Sequence, residues 1–304
     1  MLFGDGGLEF EIRILEFPMD IYLASEHAYH LIPQYTLEVA RDRVEQKKAN
    51  LVAGTVGALL SRPKPEEIQI VGAENRLEPF WHIAIFARTV FDRNRTLTIG
   101  VTGPEVQRVT VLGQDVVVDP KAKGGPAIAL AAVEHCLDEQ RASRTFDAVT
   151  GEKADFSKYL SVSKTEIADL AAFAPEGTLV VPPQIRATAV VRQVMTEVVK
   201  PVQQAQIIHE ERVNVEAVDL NFRPVYAFEY DWAAKGKRTV VEFDALTGET
   251  RTGGKTLGDQ IKNVKNALTR DFLFDVTADA VGMIVPGGGI AVKLVRAVVD
   301  RGKS

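Results

Sequence analysis

The sequence predicts an α+β protein in which two related modules are separated by a helical insert and followed by a helical tail. Three observations lead to this prediction: a repeated order of elements, aromatic strands that end in charged turns, and amphipathic helical patterns between and after them. The chain has 304 residues, which suits two domains of ordinary size. We predict a first module with an N-terminal strand at 1–125, an insert at 126–186, a second module at 187–255 and a tail at 256–304.

The first module combines one long helix with an antiparallel sheet. Residues 7–17 alternate as a strand does, and residues 36–60 carry apolar side chains at steps of three and four, which indicates a helix. Pro63 and Pro65 end that helix because proline lacks the backbone donor. The elements predicted after it are strands at 67–73 and 77–91, a polar turn at 92–95 and a return strand at 96–101.

The insert and the tail are predicted to be mainly helical. Residues 126–141 form an amphipathic pattern that begins with Pro126, a residue that suits a first helical turn. Ser163 and Glu166 form a capping box for a second short helix at 164–173. The helices predicted further along the chain are 187–203 in the second module and 257–268, 274–285 and 290–301 in the tail.

The internal repeat is the strongest signal in the sequence. Residues 77–81 correspond to 222–226, and each segment carries a proline at its third position before an aromatic strand. The return strand at 96–101 corresponds to the strand at 238–245, and each runs into a Thr-Gly turn. A third copy of the turn at 146–152 nearly repeats 243–249, although no hairpin is predicted before it, so convergence on favourable turn chemistry is an equal alternative.

The second hairpin carries a family resemblance. Residues 226–230, the turn at Lys235-Gly236-Lys237 and the stretch Val240-Val241-Glu242-Phe243-Asp244-Ala245-Leu246-Thr247-Gly248-Glu249 resemble the hairpin of PepSY-type modules. That resemblance implies a small α+β unit that binds or inhibits partner proteins and is not catalytic.

Two groups of residues are candidates for a site. His27 and His30 lie three apart beside Glu26, so on a helix they would share a face and supply two metal ligands. The alternative is a pair of surface histidines. Aromatic residues along the hairpin strands would line a groove for a partner or ligand, or would form the core beneath the helix of the module. These aromatic residues are Trp81, Tyr226, Phe228, Tyr230 and Trp232.

Other motifs do not support catalysis or cofactor binding. Gly253-Gly254-Lys255-Thr256 resembles the end of a P-loop, but the glycine required five positions before Gly254 is Glu249. His135 and Cys136 are neighbours on a predicted helix and therefore point about 100° apart, too far to act as base and nucleophile. We predict no cofactor.

Composition and charge limit the class of protein. The net charge of -5 argues against a nucleic-acid binder, and the single cysteine favours a reducing compartment. The acidic N-terminal residues do not resemble a secretory signal, and no window approaches a membrane span, so we predict a cytoplasmic protein. Asp275, Asp279 and Asp300 argue against membrane contact by the tail.

The sequence thus favours a non-catalytic protein-binding or scaffolding protein that binds a protein partner or forms a homo-oligomer. The first alternative is a metal-dependent enzyme built around His27 and His30. The second is a membrane-peripheral factor that docks through its C-terminal helices.

Overall fold

The computed structural model describes residues 19–61, 64–253, 269–276 and 292–296. The predicted N-terminal strand at 7–17, the P-loop-like residues Gly254, Lys255 and Thr256, and the predicted helix at 257–268 lie outside these residues. The strands are β1 (Met19–Leu23), β2 (Glu26–Leu31), β3 (Ile68–Gly100), β4 (Arg108–Val111), β5 (Gln114–Val117), β6 (Ala127–Asp147), β7 (Lys164–Glu166), β8 (Thr178–Val180), β9 (Ile207–Trp232), β10 (Lys237–Asp244), β11 (Thr250–Thr252) and β12 (Val292–Arg296). The helices are α1 (Leu37–Glu45), α2 (Lys48–Ser61), α3 (Ala187–Val198) and α4 (Arg270–Leu273), with single 3₁₀ turns at Pro65–Glu67, Ser157–Tyr159 and Ala233–Lys235.

The fold is dominated by one large mixed sheet, so the predicted α+β class is wrong. Strands β3 and β9 are the long antiparallel pair at its centre, in register from Ile68 opposite Trp232 to Asp92 opposite Ile207. Strand β6 pairs antiparallel with β3, and β10 pairs antiparallel with β9. Strands β1 and β2 join β9 in parallel, whereas β8 joins β3 in parallel. Strands β4 and β5 form a separate hairpin.

The predicted helix at 126–141 is wrong, because this segment belongs to β6. Each of its residues from Ala127 onward has a partner in β3, from Ala127 opposite Gly100 to Asp147 opposite Phe80. Pairing with a long neighbouring strand outweighs the helix propensity of an alanine-rich segment, since propensity is a weak prior. For the same reason β3 continues to Gly100 through the polar residues 92–95, where a turn was predicted.

Two further predicted helices are strands. Lys164–Glu166 forms β7, which pairs antiparallel with β2, so Glu166 does not close a capping box. Val292–Arg296 forms β12, which pairs in parallel with β1 from Met19 opposite Val292, although a helix was predicted at 290–301. Lys164–Glu166 contains no apolar residue, and Val292–Arg296 is too short for its apolar residues to distinguish a helix from a strand, so pairing with a neighbouring strand determines both structures.

The structure shows which turn copies are equivalent. The amides of Ala148 and Ala245 donate to the carbonyls of Pro79 and Pro224, at 3.2 Å in both cases. The carboxylates of Asp147 and Asp244 each accept from the two amides that begin the turn. The copy at 146–152 therefore ends a true hairpin, β3–β6, and corresponds to the copy at 243–249 that ends β9–β10.

Each helix packs on the hairpin of the other half, and not on its own hairpin as the sequence suggested. Helices α1 and α2 cover β9 and β10, where Ala40, Val44 and Val52 join the buried aromatic residues. Helix α3 covers β3 and β6, where Val194 and Met195 join the second and larger core. The loop before each helix is bonded to the turn of the other half, which places the helix there. The backbone amide of Tyr35 donates to the Ala245 carbonyl before α1, and the backbone amide of Ile185 donates to the Ala148 carbonyl before α3.

Candidate functional site

His27 and His30 cannot share a metal ion, because they lie on a strand. Side chains three positions apart on a strand point to opposite faces, whereas a helix would bring them together. His27 Nδ1 lies 2.9 Å from Glu166 Oε1 on the outer face of the sheet, which is the face opposite α3. His30 packs against Phe173 on the other face, and burial lowers the pKa of its imidazole. In the described ranges, no group of three or more His, Cys, Asp or Glu residues is arranged to hold a metal.

The aromatic residues considered for a groove are buried, which matches the core alternative. Trp81 is fully buried with the core beneath α3, and its indole Nε1 donates to the Ile185 carbonyl at 2.9 Å. Phe228 and Trp232 lie beneath α1 and α2. Tyr226 and Tyr230 lie there too, and both hydroxyls are hydrogen-bonded. The Tyr226 hydroxyl donates to the Tyr35 carbonyl, and the Tyr230 hydroxyl donates to the Glu45 carboxylate. Burial of both rings raises the pKa of Tyr226 and of Tyr230.

A buried ionic cluster crosses the centre of the sheet. Arg76 is fully buried, with Nε 2.5 Å from Glu74 Oε2 and Nη1 3.4 Å from Glu242 Oε1. Arg223 contacts Glu78 and lies 3.4 Å from Asp244, whose carboxylate also accepts from the Tyr159 hydroxyl. Arg251 contacts Glu242 and lies 3.3 Å from Glu78. These charges pair with one another, so we assign the cluster a structural role.

His135 and Cys136 are also separated by strand geometry, since neighbours on a strand point to opposite faces. His135 instead joins a bridge on the outer face, where Asp92 accepts from His135 at 2.7 Å and from His209 at 2.8 Å. The hydrogen bonds from His209 and then from His135 lower the pKa of the Asp92 carboxyl.

A row of polar side chains crosses three neighbouring strands on the same outer face. His82 of β3 lies opposite Asp219 of β9 in the register, and Ser143 lies on β6 beside them. His82 Nδ1 is 3.3 Å from Asp219 Oδ2, and His82 Nε2 is 3.0 Å from Ser143 Oγ. The sequence did not indicate this site, because the three residues are far apart in the chain and meet only through the strand register.

The second exposed feature is a three-stranded arm made of residues 90–100 of β3, 127–137 of β6 and 207–210 of β9. Most of its side chains are exposed or half-buried, apart from the buried Phe91, Ala127 and Ile128, and Val133 and Leu137 of β6 are 55% and 56% exposed. Strand β6 is bonded to β3 along one edge, and in the part of the chain that the structure describes, its other edge has no backbone partner from 128 to 144.

Comparisons of the chain with family models, with curated proteins and with solved structures found no match. The resemblance of residues 226–249 to PepSY-type modules therefore stays a prediction. Among the described residues, no helix is both long and apolar enough to cross a membrane.

Proposed function

We propose that the chain is a protein-binding or scaffolding protein, and that the open edge of β6 on the arm binds a second copy of the chain. The observation that supports this proposal is the long stretch of β6 that lacks a backbone partner in the described part of the chain. An open strand edge presents rows of N–H and C=O groups, which a second strand satisfies by pairing with it.

Pairing of β6 with its own copy requires a two-fold axis, because the same patch is used on both chains. Antiparallel pairing centred on His135 places Val133 of each copy opposite Leu137 of the other. On this face Ala131 would then lie opposite Glu139, and Ala129 opposite Arg141. On this face His135 meets its own copy while each imidazole stays hydrogen-bonded to Asp92, and no carboxylates or arginines of like charge are opposed. The half-exposed Val133 and Leu137 lose contact with water.

Neighbouring registers are less favourable. A pairing centred on Cys136 opposes Glu134 and Asp138 twice, and a pairing centred on Glu134 opposes that glutamate with its own copy. Like charges directly opposite one another destabilise a strand pair. Charge thus favours the register centred on His135, and this register makes the proposal specific enough to test.

The test is a charge exchange measured by light scattering coupled to size exclusion. The wild-type chain should show the mass of two chains at high concentration and dissociate on dilution. The double variants V133D/L137D and V133K/L137K should each run as a single chain, because each opposes like charges at both pairs. An equimolar mixture should recover the mass of two chains, because aspartate then lies opposite lysine.

The matched control is V71D, which changes an aliphatic residue that is 49% exposed on β3, outside the part of β3 that pairs with β6. This control should associate as the wild type does. A wild-type chain that remains single at every concentration, or charge variants that associate unchanged, would contradict the proposal.

The docking of the C-terminal helices on membranes stays a prediction. It concerns residues that lie mostly outside the described ranges, and liposome flotation tests it.

A further inference from the structure

We infer that Ser143, His82 and Asp219 form a nucleophile, a general base and an orienting carboxylate that hydrolyse small carboxylic esters. This activity goes beyond the proposed binding function, and it depends on the side chains of the array, whereas the binding function depends on the backbone edge of β6. It can therefore fail while the binding function stands, and the reverse also holds.

The geometry assigns a role to each atom. With its proton on Nδ1, His82 donates to Asp219 Oδ2 at 3.3 Å and accepts from Ser143 Oγ on Nε2 at 3.0 Å. This is the order of contacts that activates a serine: the carboxylate fixes the tautomer and orientation of the ring, and the free nitrogen takes the serine proton. Three adjacent strands hold these residues, so the arrangement rests on rigid elements.

The two ends of the array formed by Ser143, His82 and Asp219 differ in their exposure to solvent. The side chains of His82 and Asp219 are 15% and 14% exposed, whereas Ser143 is exposed. On the far side of Asp219, His27 lies opposite it in the register but directs its Nδ1 to Glu166. Burial, and to a smaller extent the charges of Asp219 and Glu166, raises the pKa of the nearby Tyr29 hydroxyl. Asp219 Oδ2 lies 3.3 Å from His82 Nδ1, so a carboxylate already faces the ring when it takes the serine proton.

Ser143 opens onto a cavity of about 270 Å³ at the edge of β6. Its lining includes Arg144 and Lys153, both of which contact Glu197 and are held by it, and Ser157, whose hydroxyl donates to Asp155 at 2.5 Å. Arg144 follows Ser143 on β6 and therefore points to the opposite face, and Lys153 is paired with Glu197, so neither cation is assigned a role at the ester carbonyl. The small volume and open mouth suit esters with short acyl groups.

The reaction balances with water as the only co-reactant. Ser143 Oγ attacks the ester carbonyl carbon while its proton passes to His82 Nε2, and the C–O bond to the alcohol breaks as His82 returns that proton to the leaving oxygen. Water then attacks the acyl-serine with His82 again as base, which releases the carboxylic acid and restores Ser143.

The experiment labels the full chain with a fluorophosphonate, locates the adduct by peptide mass spectrometry, and follows p-nitrophenyl acetate hydrolysis in the same samples. We expect the adduct on Ser143, and we expect S143A and H82Q to lower both labelling and hydrolysis by roughly 100-fold. The control S163A removes an exposed hydroxyl that does not line this cavity, and it should retain both. Circular dichroism of each variant confirms that it folds.

Asp219 acts through His82, so it is a positioning residue and needs its own readout. D219N should lower the labelling rate roughly as far as H82Q does, and D219E should restore part of it because a carboxylate is again present. No adduct on Ser143 in the wild type, or hydrolysis that survives in S143A, would overturn the inference. Equal labelling of S163A and S143A would do the same.

Discussion

Arg76 offers the sharpest test of the ionic cluster, because its side chain is fully buried and pairs with Glu74 and Glu242. Arg76→Met removes the cation and keeps most of the volume. Removing one partner of a buried ion pair costs about 3–5 kcal/mol, since the remaining carboxylates are left without compensation. Glu242 retains its contact with Arg251, which places the expected loss in the free energy of unfolding near the lower end, about 3 kcal/mol.

The assay is urea unfolding followed by fluorescence. With a denaturant slope of about 3 kcal/mol/M, a loss of this size lowers the midpoint by about 1 M. Arg238→Met is the matched control, because that arginine is 67% exposed and lies 3.7 Å from Asp231. Exposed pairs contribute little, so its midpoint should move by less than about 0.3 M. If Arg76→Met moved the midpoint no further than the control does, the cluster would not stabilise the sheet and the reasoning would be wrong.

Two further predictions concern a tyrosine and the equivalent turns. Burial and Glu45 raise the pKa of Tyr230, so the folded chain loses stability as the pH rises above about 10, where the unfolded tyrosine ionises. Y230F should lessen that alkaline loss in melting curves recorded from pH 8 to 11. G248A and G151A should each lower the melting temperature more than G236A does, because all three glycines have positive φ but only the first two have side-chain atoms within 4 Å of an added Cβ. Equal effects of the three alanine substitutions would contradict this reasoning.

The sequence predicted which segments of the two central strands correspond, but not which strands pair with them. Pro79 and Pro224 were matched from the sequence, and the structure gives them the same hydrogen-bond role. The return strand of the first hairpin was placed at 96–101 because the polar residues before it suggested a turn, whereas the true return strand is β6. A pairing partner that lies beyond an intervening hairpin leaves no local signal, so only the turn copy at 146–152 pointed to it.

The candidate sites show the same limit. His27 and His30 were grouped by a helical spacing, and a change of period from 3.6 to 2 places them on opposite faces. The array of Ser143, His82 and Asp219 depends on the register of three strands, which is set by long-range pairing. Sequence patterns predict which residues share a face once the element type is known, but they do not predict which strands become neighbours.

The register at the centre of the sheet explains how two similar halves form one asymmetric protein. Glu78 and Arg223 occupy equivalent positions of the repeat, and they also lie opposite one another where β3 and β9 pair. Their contact therefore lies at the pseudo-two-fold axis that relates the halves. In an exact two-fold assembly, a residue at this point would face its own copy, and two buried like charges would repel. Opposite charges at the two equivalent positions remove that repulsion and favour the pairing of unlike halves over the pairing of like ones.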